Sequence, residues 1–145
     1  MSGALEALAA RLRTEGGLLA AATVDAPPDA LAELGDTAAG TRTGAAADDY
    51  ALLVEAIHEG YLAHYGEARV LRSPEPDLEL LAGDHLYAIG LERLAELGDL
   101  ESVAVLAGVI ARCAQAHAED HPQDAAAAWR EGAARVAASG TGPNA

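Results

Sequence analysis

Gly98-Asp99-Leu100-Glu101-Ser102-Val103-Ala104-Val105-Leu106-Ala107-Gly108-Val109-Ile110-Ala111-Arg112-Cys113-Ala114-Gln115-Ala116-His117 is the stretch whose reading decides the fold. Val103, Leu106, Ala107, Ile110, Ala114 and His117 fall on one stripe of an α-helix, and Val105 and Val109 broaden it. The breadth of that stripe predicts a central helix. Gly98 suits the left-handed position that ends a helix, and Asp99 suits the cap that starts the next. The punctuation therefore predicts an antiparallel pair of helices over residues 75–97 and 100–118. Ser73-Pro74-Glu75-Pro76 supplies the start signal of the first: Ser is a good N-cap, and Pro is tolerated where its missing N–H would be unused anyway.

Working outward, His121-Pro122 resets the chain before an Ala-rich helix over 124–138 that carries Trp129. Residues 139–145 are expected to form a flexible tail. Upstream, residues 45–65 regain helical spacing through Leu52, Leu53, Ala56, Ile57, Tyr61 and Leu62, and Asp48-Asp49 sit near the positive end of that helix. The stretch 35–44 is rich in small and polar residues and is expected to be a mobile loop after a short helix over 29–34. The connection around Ala68-Arg69-Val70-Leu71 reads as extended. At the start, Leu5, Leu8 and Leu12 give a further amphipathic helix, broken or kinked at Gly16-Gly17 and ended by Pro27-Pro28. The expectation is an all-α, compact bundle of five to six helices around a central αα-hairpin, with one domain over residues 1–138.

Composition agrees with this reading. Hydrophobic residues make up 51% of the chain, yet aromatics are 3% and Phe is absent, so the core must be built mostly from Ala, Leu and Val. Ala and Leu head the helix-propensity ranking, and small side chains let helices approach closely. The formal charge of −14 disfavours nucleic acid and anionic membrane surfaces, both of which reward Lys and Arg. Acidic or basic residues interrupt every long apolar run, so no integral membrane segment is expected. A single cysteine, Cys113, cannot form an internal disulfide, which fits a reducing cytoplasm.

Chemistry-bearing residues are few. Glu55 and His58 have the Glu-x-x-His spacing found in carboxylate-bridged di-iron bundles, and with no second such pair a metal site would have to be completed across a dimer interface. His117 and His121 stand four apart, a half-site for a divalent metal if one helix continued through both. Cys113 reads as a small buried residue, because nothing nearby in sequence combines a base with a dipole to activate the thiol. No Gly-x-Ser-x-Gly turn and no Gly-x-x-x-x-Gly-Lys loop occurs. Tyr61 and Tyr65, one helical turn apart, could line a pocket or anchor a subunit interface.

Leu80-Leu81-Ala82-Gly83-Asp84-His85-Leu86-Tyr87, continuing to Leu94-Ala95, resembles the LLAGDxLxxxxxxxLA helix of trans-prenyl diphosphate synthases, and Ala114 to His117 is similar to the next helix of that fold. The match lies around residues 77–118. It implies an all-α fold in which Gly83 permits close helix approach and Asp84 is held in a polar network. The chain departs from catalytic members: Asp48-Asp49 lacks the distal aspartate of their Mg²⁺-binding clusters, and no second cluster follows. The resemblance therefore implies a short, non-catalytic small subunit without a cofactor of its own, working in a homo- or hetero-oligomer with another protein subunit. Asp84, His85 and Tyr87 are the implied ligand or partner contacts. A small helical metal-binding protein and a ligand-free interaction protein are the other readings the residues leave open.

Overall fold

The computed structural model describes residues 3–139 and is all-α. Seven helices follow one another among the described residues: α1 (Gly3–Glu15), α2 (Gly17–Ala22), α3 (Glu33–Ala39), α4 (Gly44–Tyr65), α5 (Pro76–Glu96), α6 (Leu100–Ala118) and α7 (Pro122–Ser139). The number exceeds the expected five to six because the first helix divides at Gly16. The stretch expected to be a mobile loop, 35–44, contributes most of α3, which stands in place of the expected helix over 29–34. The short helix expected over 29–34 is largely non-helical, with α3 beginning only at Glu33. Tertiary contact explains the shift, since Ala38 is fully buried and the Gly35 amide donates to the Glu55 carboxylate at 2.8 Å. Of the expected tail, Ser139 ends α7 and residues 140–145 lie outside the described residues.

The hairpin forms as its punctuation predicts. Gly98 takes φ 79°, the Asp99 amide reaches back to the Leu94 carbonyl at 3.1 Å, and the Asp99 carboxylate accepts from the Ser102 amide at 3.0 Å. The same carboxylate accepts from Tyr50 Oη and Ser102 Oγ, both at 2.7 Å, and from Ser139 Oγ at 3.2 Å, so the turn is tied to α4 and α7.

The centre of the bundle is α4, not α6. One core cluster gathers Leu53, Val54 and Ile57 of α4 with Leu106, Val109 and Cys113 of α6 and Trp129, Ala133 and Val136 of α7. A second gathers Ala56 of α4 with Leu5, Leu8 and Leu12 of α1, Leu19 of α2 and Ala82 and Leu86 of α5. α4 and α5 reach both clusters, α5 through Leu94 in the first, and α4 is the one that also packs against α1 and α3. In α6 the buried face is Ser102, Val105, Leu106, Val109, Cys113 and Ala116, turned from the expected stripe so that Ala107 and Ala114 are exposed. The branched valines bury more apolar surface per residue than alanine, which decides the orientation.

Backbone contact sets the α4–α5 crossing. A Cβ on Gly60 would stand 2.7 Å from the Gly83 carbonyl oxygen, and one on Gly83 would stand 3.0 Å from Ala63 Cβ. The extended connection after α4 pairs with the end of α2: Thr23 and Leu71 form an isolated antiparallel bridge, flanked by hydrogen bonds from the Val24 amide to the Val70 carbonyl and from the Arg72 amide to the Ala22 carbonyl. Among the described residues no helix is long and apolar enough to cross a membrane.

Candidate functional site

Two carboxylates sit on the core-facing side of α4. Glu55 and Glu59 are one turn apart and fully buried, a position a charged group holds only when its charge and lone pairs are met. Arg69, from the extended connection, meets both. Its Nη2 lies 2.6 Å from Glu55 Oε1 and its Nε 2.9 Å from Glu59 Oε1. Backbone donors occupy the remaining positions: Gly35 N–H on Glu55, and the Arg69 and Val70 amides on Glu59. Burial alone would push the Glu55 carboxyl up, but the His58 ring, the Arg69 guanidinium and the Gly35 amide outweigh it and hold it below the usual range. Burial likewise would lower Arg69, and the charges of Glu55 and Glu59 raise it instead. The guanidinium also donates to the Leu31 carbonyl at 3.0 Å, which pins the segment ahead of α3.

Above this network lies a cleft of about 540 Å³ lined by Asp29, Leu31, Glu33, Leu34, Glu55, His58, Tyr61, Arg69, Pro122, Ala126, Trp129 and Arg130. Its volume lies within the roughly 300–1,000 Å³ of small-molecule sites. His58 Nδ1 lies 3.3 Å from Arg69 Nη2 and 3.6 Å from Glu55 Oε1, and Nε2 has no partner among the described residues. The His58 ring meets the edge of Trp129 at 4.9 Å between centroids. Trp129 is 2% exposed, and its indole Nε1 is buried with no hydrogen-bond partner among the described residues.

A layer of rings continues from the cleft along α4. Tyr61 Oη and His117 Nε2 are 2.7 Å apart, Tyr65 stacks on His117 at 4.2 Å, and His64 stacks on Tyr87 at 5.7 Å while its Nε2 lies 2.9 Å from Asp84 Oδ1. Burial, with lesser contributions from neighbouring Cys113 and tyrosines, raises the phenols of Tyr61 and Tyr87 above their ordinary value, so they serve as hydrogen-bonding and packing groups rather than as phenolates.

The residues singled out from sequence thus divide. Tyr61, Tyr65, Tyr87, Asp84 and His117 share the ring layer. His85 lies apart, lining a small pocket of about 250 Å³ with Leu18, Leu19 and Leu81. Glu55 and His58 do come together, with Oε1 and Nδ1 3.6 Å apart, but the glutamate oxygens already hold Arg69 and Gly35. His117 and His121 are separated by the end of α6 at Ala118 and by Asp120 at φ 59°, which breaks the helical register their spacing needs; His121 lies 3.9 Å from Asp124 instead. Among the described residues no three His, Cys, Asp or Glu side chains converge to hold a metal ion. Sequence reasoning missed Glu59, His64, Arg69 and Trp129 as members of these sites. The available signal was Glu55 and Glu59 at i and i+4 inside an apolar helix, a pair that demands a buried cation. No family model, curated protein or solved structure matches the chain.

Proposed function

We propose that this chain is a non-catalytic helical subunit of the isoprenoid-synthase type, acting by assembly with a second protein, a synthase subunit or another copy of itself. The observation that carries the reading is the Gly83-Asp84 pair of α5. Gly83 meets Gly60 backbone to backbone, and the neighbouring Asp84 holds His64, the two roles that the resemblance to prenyl diphosphate synthases implies for a Gly-Asp on a core helix. The outward face of α5 carries exposed Leu80 and Leu81, 38% and 55% accessible, together with exposed Asp84 and His85. Exposed apolar side chains beside polar ones are the composition of protein-binding faces. The one adjacent aspartate pair supports a non-catalytic role too, because Asp49 Oδ2 is engaged by Arg93 at 3.1 Å rather than offered to a diphosphate-bound cation.

The test is co-expression with the prenyl diphosphate synthase of the same genome, followed by light scattering of the purified material. A mixed complex, lost in Leu81→Glu without loss of melting temperature, is the expected result. A chain that neither co-purifies with the synthase nor associates with a second copy of itself ends this reading. Asp84→Ala with unchanged stability and unchanged assembly would end the assignment of that residue.

A further inference from the structure

We propose that the cleft over His58 is a binding site for a small organic cation with an aromatic or apolar body, a site independent of the assembly face on α5. Shape comes first. The cavity of about 540 Å³ is closed on one side by α4, on another by the start of α7 and on the third by the segment leading into α3, and its apolar wall is made by Leu31, Leu34, Tyr61, Ala126 and Trp129. Leu31 stands 58% exposed on the rim, an apolar side chain left without a cover.

Charge then selects the occupant. The lining presents Asp29, Glu33 and Glu55 against Arg69 and Arg130, and Glu59 stands directly behind Arg69. The Arg69 guanidinium is spent on Glu55, Glu59 and the Leu31 carbonyl, so it has little left for a ligand. Asp29, Glu33 and Arg130 are exposed and have no ion-pair partner among the described residues, which leaves two free carboxylates against one free guanidinium at the mouth. An anion entering the cleft would face more acid than base. A cation meets an acidic rim, a wall that includes the aromatic side chains of Tyr61 and Trp129, and a chain whose overall charge of −14 already draws cations toward it. The enclosed apolar wall, in turn, favours an organic body over a hydrated metal ion, for which no three-ligand group exists among the described residues.

Trp129 is the chain's only tryptophan, so intrinsic fluorescence reads this cleft directly. The experiment titrates the intact chain with 2-phenylethylamine, a cation at neutral pH, and with phenylacetate, which carries the same ring on an anion. A saturable fluorescence change with the amine, at least about tenfold tighter than with phenylacetate, is expected from the charge of the rim and rings. Exchanging the exposed rim acids in Asp29→Asn with Glu33→Gln should weaken the amine several-fold and narrow the gap. Ala126→Phe, a substitution at an exposed position of α7, should fill the cleft and abolish the amine response while circular dichroism stays unchanged. Equal or tighter binding of phenylacetate overturns the proposal, as does no response to either probe. Amine binding that survives Ala126→Phe places the ligand elsewhere and overturns it equally. None of these outcomes bears on complex formation through α5, which the co-expression experiment reads separately.

Discussion

Gly60 of α4 and Gly83 of α5 face each other so closely that a Cβ on Gly60 would stand 2.7 Å from the Gly83 carbonyl oxygen, a backbone atom that cannot swing aside. Gly60→Ala must therefore push the helices apart, at a cost of about 1–3 kcal/mol typical of overpacking. With roughly 2–4 °C of melting temperature per kcal/mol in a chain of this size, a loss of several degrees is expected. Gly108, inside α6, has nothing within 4 Å of its would-be Cβ, and Gly108→Ala should stabilise by up to about 1 kcal/mol through helix propensity. Thermal unfolding followed by circular dichroism checks both, and two variants shifting in the same direction would contradict the crossing geometry.

Removing the shared cation of the buried network should be far costlier than removing a surface charge. Arg69→Met leaves Glu55 and Glu59 buried without their partner, for which about 3–5 kcal/mol is the usual loss. Adding Glu59→Gln removes one of the stranded charges and should restore part of that loss. Urea unfolding of the two single variants and the double variant measures the coupling; a double-variant loss equal to the sum of the two single losses would mean the two side chains act independently.

Acid should destabilise the protein in a defined window. Burial would raise both Glu55 and Asp99, but hydrogen bonds and neighbouring charge hold each below its ordinary value of 4.5 and 3.8 respectively. The unfolded chain then binds more protons than the folded one in this range, so stability rises with pH there and is fully present above the unfolded values. The contribution of these two groups should be lost as pH drops below about 4.5, through the depressed folded values. In Glu55→Gln the fall should be shallower. An unchanged slope in urea midpoints against pH would remove Glu55 from this account.

Cys113 is buried, its Sγ 3.8 Å from the Ala125 carbonyl, and burial pushes the thiol up to about 11 against a small opposing pull from Arg112. Labelling by an aromatic disulfide at mildly alkaline pH should be slow in the native state and immediate in concentrated urea. Rapid native labelling would show that α6 and α7 open locally.

The hairpin of α5 and α6 was legible because its signals are local: a glycine that needs positive φ, an aspartate that caps, and prolines that start a helix. α3 was not, because its residues are small and polar and their helical state depends on Glu55, some twenty positions onward, meeting the Gly35 amide. The orientation of α6 was misjudged by periodicity alone, since Ala107 and Val105 both read as apolar and only packing against Trp129 and Val136 distinguishes them. The candidate site divided in the same way. Glu55 beside His58 is a spacing one can count, whereas the arginine that claims Glu55 comes from an extended connection with no motif of its own, and the tryptophan that walls the cleft arrives from the far end of the chain.

The pairing of Thr23 with Leu71 has a kinetic meaning. It closes a circuit that contains all of α3 and α4, and it lies beside the arginine that neutralises the two buried glutamates. The first two helices are therefore latched to the bundle by residues synthesised much later, and their docking belongs with the late, non-local steps of folding rather than with the early formation of local hairpins.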